Sequence, residues 1–294
     1  MTEYLIPDTI EETLQLLTAH HGQAMIVAGG TDLLPDIRKG KRAAGCLVDI
    51  TRIPELAEIR VEDGRVEVGA AVTFAMLREH PYLCRHVTAL AEAAGSVGAA
   101  SIQSAATWAG NLVQAMPAAD GAIVAIALDA EMRVLDAKGA TWMPVRAAFA
   151  GPGRSTIDPT RQLITHIRFP IPRAPWGTAW RRAGRRPSLI LPTLNCAVKL
   201  VLDESTGRIA AAAVALGPVA PCPHRSAEAE AFLAGQASGA AAFSEAARLA
   251  TSDADPRSSI HRASRGYRLA ILPVLVEDAL AMAFERAAHV APDG

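Results

Sequence analysis

The sequence predicts an α+β chain in two domains, and three observations carry that prediction. Apolar segments recur in pairs around turn signals, at Glu62-Asp63-Gly64-Arg65, at Lys138-Gly139 and at Glu204-Ser205-Thr206-Gly207, as antiparallel hairpins do. Around these pairs lie segments with helical spacing. Three prolines in Pro170-Ile171-Pro172-Arg173-Ala174-Pro175 cannot continue a helix or a central strand, which places a domain junction there. The first domain covers residues 1–172, with subdomains of about 1–54 and 55–172, and the second covers 173–294.

In chain order, Thr9 followed by Glu12 is a capping box, predicting a helix from Ile10 to about His20 with Ile10, Leu14 and Leu17 on one face. A strand at Met25–Ala28 leads into Gly29-Gly30, a short helical stretch follows, and Cys46–Ile50 returns as a second strand. Strands at Ala57–Val61 and Val66–Ala70 flank the Asp-Gly turn. Thr73 caps a helix through His80, and another helix covers Thr88 to Ala94. A loop rich in small residues runs from Ser104 to Asp120, and a nearly all-apolar helix spans Gly121–Leu128. A hairpin pairs Glu131–Asp136 with Thr141–Val145, and Leu163–Phe169 reads as a closing strand. Beyond the junction, Leu194–Leu202 and Ile209–Leu216 form a hairpin, and helices cover Ala227–Leu233, Ala240–Ala250 and about 262–288.

Composition excludes several function classes. Half of the 294 residues are apolar but only 4% are aromatic, so the core is filled by Ala, Val, Leu and Ile. A net charge of −1 offers no basic field for nucleic acid. No apolar run approaches the roughly 20 residues that span a bilayer, and the start lacks a signal-peptide pattern. Absence of membrane insertion and a cytoplasmic location are therefore expected. Cys46, Cys84, Cys196 and Cys222 are widely spaced and include no C-x-x-C pair, which argues against iron–sulfur or zinc ligation within the chain. His20, His21, His80, His86, His166, His224, His261 and His289 are scattered without ligand spacing, so no metal site is expected. No G-x-G-x-x-G, Walker A or H-E-x-x-H sequence occurs.

Two bends carry the chemistry. In Ile26-Val27-Ala28-Gly29-Gly30-Thr31-Asp32-Leu33-Leu34-Pro35, a buried strand stops at two glycines and a helix begins, a geometry in which main-chain amides approach a diphosphate. The alternative is a strand-to-helix turn without a ligand, with Thr31 or Asp32 as a plain N-cap. The second bend, Ser104 to Asp120, has Gly110, an amide at Asn111, a hydroxyl at Thr107 and a closing Pro117. Two such loops suggest one long ligand held from both sides. Asp120 reads either as a contact to that ligand or as an N-cap, and Trp108 reads either as a core filler, the preferred reading, or as a ring stacked near the ligand.

The pair Ala28-Gly29-Gly30-Thr31-Asp32-Leu33 and Thr107 to Asp120, in this order and with a matching C-terminal region, resembles the FAD-binding medium subunit of the molybdenum hydroxylases, the xanthine dehydrogenase and aerobic CO dehydrogenase family. The resemblance covers nearly the whole chain. It implies a two-subdomain FAD-binding fold of the PCMH type, then a C-terminal domain of small antiparallel sheet plus helices, in which Gly266-Tyr267-Arg268-Leu269 resembles the family's Tyr-Arg helix motif. It further implies that Val27, Ala28, Gly29, Gly30, Thr31, Asp32 and Leu33 wrap the FAD diphosphate, with the Asp32 carboxylate turned away from the phosphates. Thr107, Ala109, Gly110 and Asn111 would form the second flavin loop, Asp120 would lie near ribityl or ribose hydroxyls, and Ile164 would pack on flavin or adenine. Arg181 or Arg182 stands where relatives often direct a lysine at the flavin. Relatives usually carry Ile-Gly for Trp108-Ala109, and some place an aromatic ring near Leu191.

By the same resemblance, the chain is an FAD-carrying electron-transfer subunit without a catalytic side chain of its own. Its partners would be a molybdopterin-binding large subunit and a [2Fe–2S] small subunit, and it would pass electrons to NAD or another acceptor. Two other readings stand beside this one: a stand-alone flavin oxidoreductase acting on a small molecule, and a flavin-free scaffold subunit.

Overall fold

The N-terminal strand Glu3–Leu5 (β1) is too short to show a period in the sequence, yet it completes a three-stranded parallel sheet. It is followed by α1 (Ile10–Ala19), β2 (Ala24–Val27), α2 (Leu33–Arg38) and β3 (Cys46–Asp49), with spatial order β1-β3-β2. The two expected strands are thus three. This computed structural model describes residues 2–186, 189–260 and 262–289, so His261 lies outside the described residues. Thr9 Oγ1 accepts from Glu12 N at 3.1 Å as a capping box requires, while Glu12 reaches back to Asp8 N at 2.9 Å rather than to the cap residue. The separate core of this layer contains only Leu17, Ala24, Cys46 and Val48.

A 3₁₀ turn at Pro54–Ala57 delays the next strand, which begins at Ile59 rather than Ala57. The hairpin of β4 (Ile59–Glu62) and β5 (Arg65–Gly69) follows, then α3 (Phe74–Glu79), α4 (Pro81–His86), α5 (Thr88–Ser96), α6 (Ala100–Gln103), α7 (Trp108–Val113) and α8 (Asp120–Ala127). Thr73 caps α3 by accepting from Met76 N. Unexpected α4 starts on Pro81, whose missing N–H has no partner to lose in a first turn. A second hairpin joins β6 (Glu131–Asp136) to β7 (Gly139–Pro144), and the small ribbon β8 (Phe149–Gly151) with β9 (Arg154–Ser155) leads to β10 (Leu163–Pro170). The expected closing strand, β10, is central: the sheet order is β4-β5-β10-β6-β7.

No helix or strand occupies 171–175. The third layer is an antiparallel sheet in the order β11 (Trp176–Ala183), β12 (Leu194–Leu202), β13 (Ile209–Gly217) and β14 (His224–Arg225), covered by α9 (Ala227–Leu233), α10 (Ala240–Ser252) and α11 (Arg265–His289). Strand β11 was not expected from the sequence. Alternation along β12 explains how this sheet is buried twice. Cys196, Val198 and Leu200 belong to the core beneath the helices, whereas Ala197 packs into the core of the five-stranded domain and Lys199 Nζ reaches Asp129 Oδ2 at 2.6 Å. Arg286 near the end of α11 donates to Thr178 O at 2.8 Å and Thr88 Oγ1 at 2.9 Å and pairs with Glu92, tying α11 to α5 through β11. Arg268, in the Tyr-Arg segment, is 2% exposed and donates to Thr193 O at 2.9 Å, fixing the start of α11 against the sheet. Among the described residues no helix is long and apolar enough to cross a membrane.

Candidate functional site

Strand β2 ends at Val27 and the chain turns through Ala28-Gly29-Gly30-Thr31 before α2 begins. Gly30 has φ +63°, a conformation that a side chain disfavours. Gly29 is required for another reason: a Cβ there would lie 1.9 Å from the carbonyl oxygen of Ala105. The first bend is therefore seated directly on the second. Among the described residues, the amides of Gly29, Gly30, Thr31, Asp32 and Leu33 donate to no protein acceptor. Asp32 takes the N-cap position of α2 but makes no side-chain cap bond, so the plain capping reading does not hold. Desolvation and the neighbouring Asp36 push its carboxyl up, with Arg42 opposing.

The second bend is more ordered than a loop. Within Ser104 to Asp120, α7 forms because Thr107 Oγ1 accepts from Gly110 N at 3.1 Å, and the small side chains let α7 and α8 pack closely. Ala109 lies in helical backbone outside the positive-φ set, so alanine in place of the family's glycine carries no strain there. Trp108 is 0% exposed, meets Phe169 edge to face at 6.2 Å, and donates from Nε1 to Gly121 O at 2.9 Å. It is a core residue.

Both bends line one cavity of about 380 Å³. Val27, Ala28, Gly29, Gly30, Thr31, Asp32 and Leu33 contribute from the first bend and Thr107, Gly110 and Asn111 from the second. Asn111 lines the cavity, but its Oδ1 is buried without a partner and is turned toward α8, where a Cβ on Gly121 would lie 2.7 Å from it. Ala109 and Ile164 line a smaller cavity of about 100 Å³ that shares Ile26, Ala28, Thr107 and Gly110 with the first. A diphosphate fits this donor set, because free amides, a positive-φ glycine and a close backbone approach are what an anion cradle needs.

Two expected residues stand apart. Arg181 lines neither cavity, and its Nη1 donates to the carbonyl of Trp180 at 3.0 Å. Successive strand residues face opposite sides. The neighbouring Arg182 is the one directed inward, with Nη1 3.8 Å from Asp120 Oδ2 and 3.4 Å from Ser96 O. Asp120 also lines neither cavity. It is the first residue of α8 and makes no cap bond; its buried carboxylate accepts from Asn195 Nδ2 at 2.5 Å and Ser96 Oγ at 3.3 Å. Sequence reading missed Asn195, although an amide inside the apolar run Leu194–Leu202 was an available signal. Leu191, where some relatives carry an aromatic ring, lines the larger cavity from its rim.

Burial pushes the Asp120 carboxyl up to about 6, against the opposing influence of Asn195, Arg182 and Ser96. A carboxyl with a higher pKa folded than unfolded binds its proton more tightly in the folded chain. The resulting contribution to stability is present below the unfolded pKa and is lost as pH rises through the folded one. That loss amounts to about 3 kcal/mol. In the flavin-free chain, Asp120→Asn is expected to flatten the fall in stability between about pH 4 and pH 7. Urea denaturation across that range measures it; equal slopes in variant and parent would place the titration elsewhere.

A family profile described as the FAD binding domain in molybdopterin dehydrogenase matches residues 1–172. A second, the CO dehydrogenase flavoprotein C-terminal domain, matches 179–283. The chain belongs to the FAD-binding subunit family of the molybdopterin dehydrogenases. It is 29% identical over 276 residues to the putative xanthine dehydrogenase FAD-binding subunit of Escherichia coli (strain K12), covering 94% of this chain and 93% of that one. To the nicotinate dehydrogenase FAD-subunit of Eubacterium barkeri it is 30% identical over 207 residues, covering 69% and 70%. Its fold matches a chain of the carbon monoxide dehydrogenase from Hydrogenophaga pseudoflava that lacks the Mo-pyranopterin moiety, with a TM-score of 0.88, 29% identity and coverage of 97% and 98%. A chain of quinoline 2-oxidoreductase from Pseudomonas putida 86 also gives 0.88, at 27% identity, covering 98% and 99%. FAD is thus the cofactor of this chain's family, and the chain is an oxidoreductase subunit.

Proposed function

We propose that the cavity between the two bends holds FAD, and that this chain passes electrons from [2Fe–2S] clusters on a small partner subunit to an external acceptor such as NAD. A molybdopterin-binding large subunit would perform the hydroxylation. The observation that carries this reading is that both bends line one cavity, with five amides pointing to no protein acceptor.

The free amides of Gly29 through Leu33 would bind the diphosphate, and Thr107, Gly110 and Asn111 would wall the cofactor from the other side. Ala109 and Ile164 would exclude water from the apolar end. Asp120 acts from behind the cavity wall with Asn195 and Arg182, and Arg182 rather than Arg181 supplies fixed positive charge on that side. FAD exchanges electrons singly or in pairs and so joins one-electron clusters to a two-electron acceptor. The chain needs no nucleophile or general base for that role. A cytoplasmic setting agrees with its reduced, unpaired cysteines.

The test is production of the chain with and without its partners. It is expected to purify yellow with FAD bound, and to reduce an acceptor with substrate electrons only when the iron–sulfur and molybdenum subunits are present. A colourless chain that refuses added FAD would favour the scaffold, and turnover of a small molecule by the chain alone would favour the stand-alone oxidoreductase.

A further inference from the structure

We propose that Glu3, His20 and Cys46 form a zinc site that fastens the N-terminal three-stranded subdomain. The three residues come from β1, from the position that ends α1, and from β3, and their ligand atoms all lie within 4.8 Å of one another. This differs from the expectation of no metal site. That expectation rested on spacing along the chain, whereas folding draws together three residues that no short-range ligand pattern links.

The His20 ring is oriented for this role. Its Nδ1 lies 2.8 Å from the carbonyl oxygen of Leu16, which can only accept, so Nδ1 carries the proton and Nε2 turns its lone pair to the cluster. Holding the far ring nitrogen in this way is the usual support of a metal-bound imidazole. Nε2 then faces Glu3 Oε2 at 3.3 Å, two acceptors that call for a cation or a further proton between them. Tetrahedral zinc with bonds of about 2.0–2.3 Å sets neighbouring ligand atoms about 3.4 Å apart, so the His20–Glu3 pair already has the needed separation. Cys46 Sγ makes a single long contact, 3.7 Å to Leu47 O, and borders the pair from within the small core, where it is 1% exposed.

Thiolate, imidazole and carboxylate together suit zinc rather than calcium or magnesium, which take oxygen alone. One position remains for water. The site also meets a structural need: apart from Cys46 itself, this sheet's own core has three buried residues, with Leu5, Leu16 and Ile26 partly buried against them, and small cores are commonly supplemented by a metal. Linking β1 and β3 to the end of α1 would hold β1 in register with β3, the strand that pairs with β2 and so supports the Gly-Gly bend.

The test is zinc binding by the full-length, flavin-loaded chain, followed by equilibrium dialysis and elemental analysis, with X-ray absorption at the zinc edge. The expected result is retention of a single zinc ion with one sulfur neighbour and nitrogen or oxygen neighbours. Glu3→Gln and His20→Gln should each weaken binding by about tenfold or more, with circular dichroism of both variants unchanged from the parent. Cys46→Ser should abolish the sulfur signal. Binding should strengthen as pH rises, because the thiol must lose its proton to ligate. No retained zinc, zinc bound equally by the Glu3 and His20 variants, or a bound ion with no sulfur neighbour would each overturn the proposal.

Discussion

A Gly29→Ala chain is expected to purify colourless and less stable than its parent by about 3 kcal/mol or more. The added methyl would stand 1.9 Å from the oxygen and 2.4 Å from the carbon of the Ala105 carbonyl, and 2.9 Å from the Cα of Ala106. All three atoms are backbone, so no rotamer change relieves the overlap. The bends must separate, and the cavity they jointly line opens. Gly30→Ala is the informative contrast. There a Cβ meets the flexible end of Leu34 at 2.9 Å and the main cost is the φ of +63°, about 1–2 kcal/mol. Flavin content and urea midpoints of both variants provide the measurement. Full flavin occupancy in Gly29→Ala would mean that contact between the bends does not form the site.

Trp108→Ala is expected to cost about 3–5 kcal/mol. The side chain is 0% exposed, packs on Phe169 at the centre of the sheet, and donates to the carbonyl of Gly121 at the start of α8. Removing it leaves a void and takes away one hydrogen bond, while the Gly121 carbonyl keeps its acceptor role within α8. Flavin affinity should fall with stability, because Trp108 opens the helix that carries Gly110 and Asn111. Trp108→Phe, which keeps most of the volume but loses the N–H, should recover most of the stability. Urea denaturation followed by far-ultraviolet circular dichroism decides the matter; a change below about 1 kcal/mol for the alanine variant would contradict the packing role.

Much of this arrangement is legible in the sequence wherever local chemistry decides the outcome. The Asp63-Gly64 hairpin, the Thr9 and Thr73 caps and the apolar run of α8 lie within a residue or two of their expected places, because each is determined by neighbours in the chain. Elements set by distant partners were not visible. Strand β1 has only three residues and exists because β3 pairs with it, and α7 hides in a stretch whose glycine and alanines resemble a loop until Thr107 caps it. Within the site, the motif residues of both bends do converge. Arg181 and Arg182 could not be told apart because the sequence does not reveal which face of β11 looks inward. Asn195 could be located only once β12 had been laid beside α8.

The central position of β10 has a consequence for folding order. Its two neighbours each belong to a hairpin that zips locally, but β10 meets β5 across a separation of about a hundred residues, as Val66 opposite Phe169 illustrates. Closing so long a loop is slow and entropically unfavourable, so the two hairpins should be native-like well before they are joined. Ile164 sits on this last strand and Pro159 just before it, and both border the cavities. During synthesis, therefore, the flavin has no finished pocket to enter until the ribosome has passed the middle of the chain.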